Sequence, residues 1–173
     1  MSRNLPFILA LSLCAMHASA QTWTQKADVG MAVANGPYAR TGAVAFTIGS
    51  KGYMCTGQTA TGFSQDLWEY DPTANAWSQK ANFGGTGRYW AAGFSIGSMG
   101  YVGTGLEGAG AATTQDFWAY DQATNTWLQK APFGGGVRSH AIGFSVGVKG
   151  YIGTGVNGGY MQDLWEYDPA VDQ

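Results

Sequence analysis

The groups in this chain that could do chemistry are few, and the most suggestive ones recur at a fixed interval. Arginine stands at Arg40, Arg88 and Arg138, and the two residues after it change each time: Thr41-Gly42, Tyr89-Trp90 and Ser139-His140. A guanidinium binds carboxylates and other planar anions through two parallel hydrogen bonds. Tyr, Trp and His add flat faces with one polar tip. Together with the carboxylate of Glu107, the residues Arg88, Tyr89, Trp90, Arg138 and His140 are the ligand-binding candidates. The arginines recur in every copy, which also suits a structural role in which each bonds carbonyls or a carboxylate between repeats. Tyr89, Trp90 and His140 break the repeat, so packing alone does not require them.

What is sparse limits the reaction classes. The chain has two histidines and two cysteines, too few to suggest a cluster of metal ligands. No nucleophile–base motif, phosphate-binding loop or dinucleotide fingerprint is present. No metal, no cofactor and no catalytic residue is therefore expected. The net charge is −2 with 12% charged residues, and no basic stripe exists, which argues against nucleic acid and anionic membranes as partners. Cys55 lies on a predicted strand where the other copies have Gly103 and Gly153, and it is expected to be a small buried residue.

The elements that must position these groups come from a repeat. Gln65–Pro72 (Gln-Asp-Leu-Trp-Glu-Tyr-Asp-Pro) returns as Gln115–Gln122 and Gln162–Pro169, with Asp66 and Asp116 separated by 50 residues and Asp116 and Asp163 by 47. Upstream of each copy lie Gly-Tyr-x-x-Thr-Gly, at Gly52, Gly100 and Gly150, and an apolar run, Ala43–Ile48, Ala91–Ile96 and Ala141–Val146. Small and large residues alternate along each run, a period of two that means strand. Both faces are nearly apolar, so both are expected to be buried. Tyr53–Thr56, Asp66–Tyr70 and the segment from Trp77 supply three further strands of the first unit, with a tight hairpin at Gly49–Gly52 and a turn opened by Asp71-Pro72.

An apolar run, a glycine-bearing pair, a variable loop, Tyr-Asp, six residues and Trp together resemble the kelch repeat. Tyr70-Asp71 to Trp77 and Tyr120-Asp121 to Trp127 carry the likeness, while Thr-Gly stands where that motif has Gly-Gly. The resemblance covers the chain from Trp23 onward. It implies an all-β, kelch-type β-propeller, with blades at 40–87, 88–137 and 138–173, the last lacking its final strand. Function would then reside in the variable loops Gln58–Ser64, Leu106–Thr114 and Val156–Met161 and in the residues that open each inner strand. Among kelch relatives, galactose-oxidase-like enzymes hold copper with two Tyr and two His, which this chain does not match. Sugar mutarotases similar to periplasmic N-acetylneuraminate epimerases need only polar groups around the channel, and Arg88, Arg138 and Glu107 could serve.

The ends carry their own signals. Arg3, the apolar stretch Leu5–Ala15 and Ala18-Ser19-Ala20 read as a secretory signal peptide over residues 1–20, with an apolar core too short to span a bilayer. Export to the periplasm or medium of a bacterium is the expectation. Cys14 permits a lipoprotein reading, against which bulky Leu13 argues. Residues 21–39 hold Trp23-Thr24-Gln25-Lys26-Ala27, a copy of Trp77–Ala81 and Trp127–Ala131, followed by a linker with a turn at Gly36-Pro37. Trp follows Tyr-Asp by six residues in units one and two, so unit three would place its Trp at position 174. The expectation is a longer chain of roughly six or seven blades. The alternative is two copies, each lending Trp23–Lys26 to the other's third unit, with self-association through open blade edges. The functional expectation is an exported, non-catalytic module that binds a protein or glycan. The alternative is a sugar mutarotase or epimerase.

Overall fold

The computed structural model describes residues 23–28, 39–108 and 112–173. The signal-peptide and Gly36-Pro37 expectations lie outside these residues. Every regular element among them is a β-strand. Unit one is an antiparallel sheet of β1 (Val44–Ile48), β2 (Lys51–Cys55), β3 (Leu67–Asp71) and β4 (Ala76–Lys80) in sequence order. Unit two repeats it with β5 (Ala92–Ile96), β6 (Met99–Gly103), β7 (Phe117–Asp121) and β8 (Thr126–Lys130). Unit three has β9 (Ile142–Val146), β10 (Lys149–Gly153) and β11 (Leu164–Tyr167). The register repeats as well: Tyr70 faces Trp77, and Tyr120 faces Trp127.

The alternation of large and small residues explains how the units stack. On β1 the large residues Val44, Phe46 and Ile48 are buried, whereas Ala45 and Thr47 are exposed. On β9 Ile142, Phe144 and Val146 are exposed. On β5 Ala92, Gly93 and Phe94 are all buried. The large residues of one inner strand thus press on the small face of the next unit, and burial on both faces holds for the middle unit alone. The ring of Phe46 rests on Gly100, where a β-carbon would collide with ring atoms, and Phe94 rests on Gly150 in the same way. Two apolar clusters fill the seams, one around Phe46, Tyr53, Leu67 and Val102, the other around Phe94, Tyr101, Phe117 and Ile152. Each buried aromatic contributes roughly 1.5–3 kcal/mol of transfer free energy.

The strand ends differ slightly from the sequence reading, and one difference concerns function. The stretches after β2 and β6 are not irregular loops. Gln58–Thr59 pairs with Gly62–Phe63 and with Arg40–Thr41, and Leu106–Glu107 pairs with Ala112–Thr113 and with Arg88–Tyr89. A small second ladder therefore caps one end of each of the first two sheets and fixes the segment that follows each arginine. Cys55 is wholly buried, and burial pushes its thiol well above the usual range.

Candidate functional site

The arginines are taken up inside the fold. Arg88 and Arg138 are fully buried. Arg88 clamps Asp116 at both carboxylate oxygens, 2.5 and 2.8 Å, and also donates to the Thr104 carbonyl at 3.0 Å and Thr114 Oγ1 at 2.9 Å. Arg138 clamps Asp163 at 2.6 and 2.8 Å and donates to the Thr154 carbonyl at 3.0 Å. Arg40 holds Asp66 in the same way. Each guanidinium of Arg88 and Arg138 also lies over a preceding ring, Phe83 and Phe133, at 4.8 Å. These bonds join the start of a unit's inner strand to its own third strand rather than one blade to the next. Burial alone would push the Asp116 carboxyl up, but the bonds from Arg88 outweigh it and hold it below the usual carboxylate range. Arg138 first, then the Trp165 indole, lowers Asp163.

Tyr89, Trp90 and His140 are brought together. Trp90 lies 4.2 Å from Tyr89 and 3.8 Å from His140, centroid to centroid, with ring planes tilted by 35° and 32°. Phe63 continues the row, stacked on Tyr89 at 5.0 Å. The backbone makes this possible. Gly42, Trp90 and His140 occupy equivalent positions in the three units, all with positive φ of 63°, 54° and 57°. Trp90 N donates to the Gly42 carbonyl at 2.8 Å, and His140 N to the Trp90 carbonyl at 3.0 Å. These left-handed residues form a hydrogen-bonded staircase from blade to blade, and their side chains project from it in series. A bulky non-glycine residue at positive φ stores strain, and here two of the three steps carry it.

Glu107 stands beside this row on the second ladder. It accepts a hydrogen bond from Thr86 Oγ1, and its carboxylate lies 3.8 Å from the Arg88 guanidinium. Phe63, Thr86, Glu107 and Ala112 line a shallow hollow of about 480 Å³. A second hollow of about 840 Å³ lies between His140 and Tyr160. Ser139 Oγ sits 2.9 Å from His140 Nδ1, but Ser139 is buried, so the hydroxyl anchors the imidazole and does not face a substrate. Among the described residues no group of three or more His, Cys, Asp or Glu converges as metal ligands would, and no helix is long and apolar enough to cross a membrane.

Sequence reasoning noted Gly42 only as a change after Arg40, in line with Trp90 and His140, and held Phe63 only as part of the variable stretch Gln58–Ser64; neither was singled out as a site residue.

Stacked four-stranded antiparallel sheets, inner strand against inner strand, define an all-β protein of propeller type. The chain superposes on the solved structure of YjhT with a TM-score of 0.67 over 78% of its length, at 18% identity, and spans half the length of that chain. That likeness is one of fold. No protein-family model matches the sequence, and no curated protein does.

Proposed function

We propose that the chain is an exported, non-catalytic kelch-type propeller module that binds a carbohydrate through the face carrying Tyr89, Trp90 and His140. One observation carries this reading: three consecutive rings, Tyr89, Trp90 and His140, are held in a row by a strained backbone staircase. Aromatic faces stack against the apolar faces of sugar rings, and their polar tips bond hydroxyls. Glu107 supplies an acceptor at the edge. Arg88 and Arg138 act from behind, as the clamps that hold the staircase at the head of each blade.

The test is a glycan array probed with the protein and with Trp90→Ala and Tyr89→Ala. A bound glycan that loses tenfold or more in affinity in both variants supports the reading, a change of about 1.4 kcal/mol. Binding that neither variant alters removes the rings from the account.

A sugar mutarotase or epimerase is the second reading. Glu107, beside an open hollow, favours it as a group that could move a proton. It predicts faster anomer equilibration of an acidic sugar, followed by NMR, and loss of that rate in Glu107→Gln. An unchanged equilibration rate across sialic acids and hexoses leaves the binding module.

A further inference from the structure

The charges beside the ring row are placed unevenly, and their placement decides which sugars suit it. Arg88 immediately precedes Tyr89, yet its side chain is only 1% exposed, whereas the carboxylates it approaches, Glu107 and Asp116, are 35% and 25% exposed. One guanidinium against two carboxylates leaves one net negative charge, with the negative groups outward and the positive one behind them. A hollow of about 610 Å³ has Thr86, Glu107 and Asp116 on its wall. Drawing Arg88 out to a ligand would strip Asp116 of its bidentate partner, a costly exchange for a buried pair. Arg40 and Arg138 repeat the arrangement at 2% and 0% exposure, beside Asp66 and Asp163. The lysines of the blades are paired on the sheets, Lys51 with Asp71, Lys80 with Glu69, Lys130 with Asp172 and Lys149 with Asp168. Residues 29–38 and 109–111 contain no charged side chain.

Glu107 is also a departure from the repeat. Two positions after the glycine of Thr-Gly, unit one has Thr59 and unit three Asn157. Its partner departs too: Thr86 stands two positions before Arg88, and Gly136 two before Arg138. Packing between like units does not call for this pair. The second ladder sets it against the ring row, Glu107 facing Arg88 and Leu106 facing Tyr89. Phe63, stacked on Tyr89, lines the same hollow of about 480 Å³ as Thr86 and Glu107. That hollow lies between the ladders of units one and two, with described residues on both sides.

Thr86 donates to Glu107 Oε2. The bond orients the carboxylate and leaves Oε1 to a donor on whatever enters. An ionised carboxylate only accepts hydrogen bonds. Sugar hydroxyls donate, and an acidic sugar brings a second carboxylate that meets the first as a like charge.

Resting on the reading of this face as a carbohydrate site, we infer that the sugar it takes is uncharged. Its hydroxyls donate to Glu107 while its apolar face packs on the rings, and Glu107 and Asp116 turn away uronic and sialic acids. Specificity here comes from a repulsive element as well as an attractive one.

A glycan array carrying each glycan in a neutral form and in a form bearing a uronic or sialic acid tests this with the 173-residue chain. The neutral member of a pair should bind tenfold or more tightly, a difference of about 1.4 kcal/mol. The preference should shrink at least threefold in Glu107→Gln, which keeps an acceptor and removes the charge. It should also shrink in the unaltered protein as salt rises from about 0.05 to about 0.5 M, because screening weakens repulsion between exposed charges. The salt series stands even where the variant fails to fold. Acidic members that bind as well as neutral ones, a preference unchanged in folded Glu107→Gln, or a preference indifferent to salt overturns the inference and leaves the sugar site in place. An array that binds nothing overturns the sugar site itself, and the inference with it.

Discussion

Gly42 is the floor beneath the Trp90 indole: a β-carbon at Gly42 would come within 2.8 Å of Trp90 Cδ1. The backbone there has φ +63°, which a side chain rarely adopts. Gly42→Ala therefore lifts the indole off its support and strains the turn. The expected result is a stability loss of about 1–2 kcal/mol in urea together with loss of ligand binding. Trp90→Ala should lose the binding with little change in stability.

The arginines should behave in the opposite way. Arg88 is buried and bidentate to Asp116, and removing one member of such a pair typically costs about 3–5 kcal/mol. Arg88→Met is expected near the low end, since Asp116 keeps the Trp118 indole as a donor at 2.8 Å. The folded fraction should lose less affinity for ligand than Trp90→Ala does, because Arg88 holds the staircase from behind and lends no face to the ligand. Urea unfolding gives the first quantity and titration at low temperature the second.

The contrast marks how far the sequence could be read. Strand order, blade stacking and the Tyr–Trp pairing follow from residues that recur in every unit, because recurrence is what packing between like units imposes. The arginines read as bonding carbonyls or a carboxylate between repeats; the bonds lie within each unit instead, to Asp66, Asp116 and Asp163, whose pairing with the arginines was not foreseen. The ring row was legible only as a break in the repeat. Its stacking depends on positive φ at Trp90 and His140, and side-chain type does not announce a left-handed backbone. The row's extension to Phe63 depends on the second ladder, where stretches of only two residues pair without any periodicity to reveal them.

The clamps also set the acid limit. Asp66 and Asp116 are lowered from 3.8 by their arginines against the opposing effect of burial, and Asp163 is lowered chiefly by Arg138. A depressed folded-state value means that the native state holds its proton less tightly than the unfolded chain. The stabilisation is therefore complete above the unfolded value and is lost as pH falls through the folded one. The melting temperature should be nearly flat from about pH 7 to pH 5 and fall below about pH 4. Asp116→Asn should start lower and fall less steeply across that window in a thermal scan.

Seating of a ring on glycine governs the spacing of blades. Phe46 packs on Gly100 so closely that a β-carbon there would overlap the ring. Gly100→Ala forces the two sheets apart along a whole seam, and Phe46→Ala empties it. Both are expected to cost about 3–5 kcal/mol, and they should not be additive, because the double variant returns a methyl to the space that the ring vacates. A double-mutant cycle by urea unfolding measures that coupling.

Thr104 offers a change in the other direction. It is wholly buried with φ +61°, and its hydroxyl has no hydrogen-bond partner. Thr56 and Thr154 repeat the conformation at φ 63° and 59°. A left-handed backbone costs a β-branched residue about 1–2 kcal/mol, and an unpaired buried hydroxyl about 1–3 kcal/mol more. Against this, Thr104→Gly loses two buried carbons, Cβ and the methyl, about 1.6 kcal/mol, and loosens the unfolded chain by roughly 0.5–1 kcal/mol. The balance favours glycine, the residue that the resembling motif carries at this place. Thr104→Gly should raise the unfolding free energy by about 1 kcal/mol, read from the urea midpoint at unchanged slope. A lower midpoint would mean that the threonine side chain holds the turn through its packing more strongly than its backbone resists it.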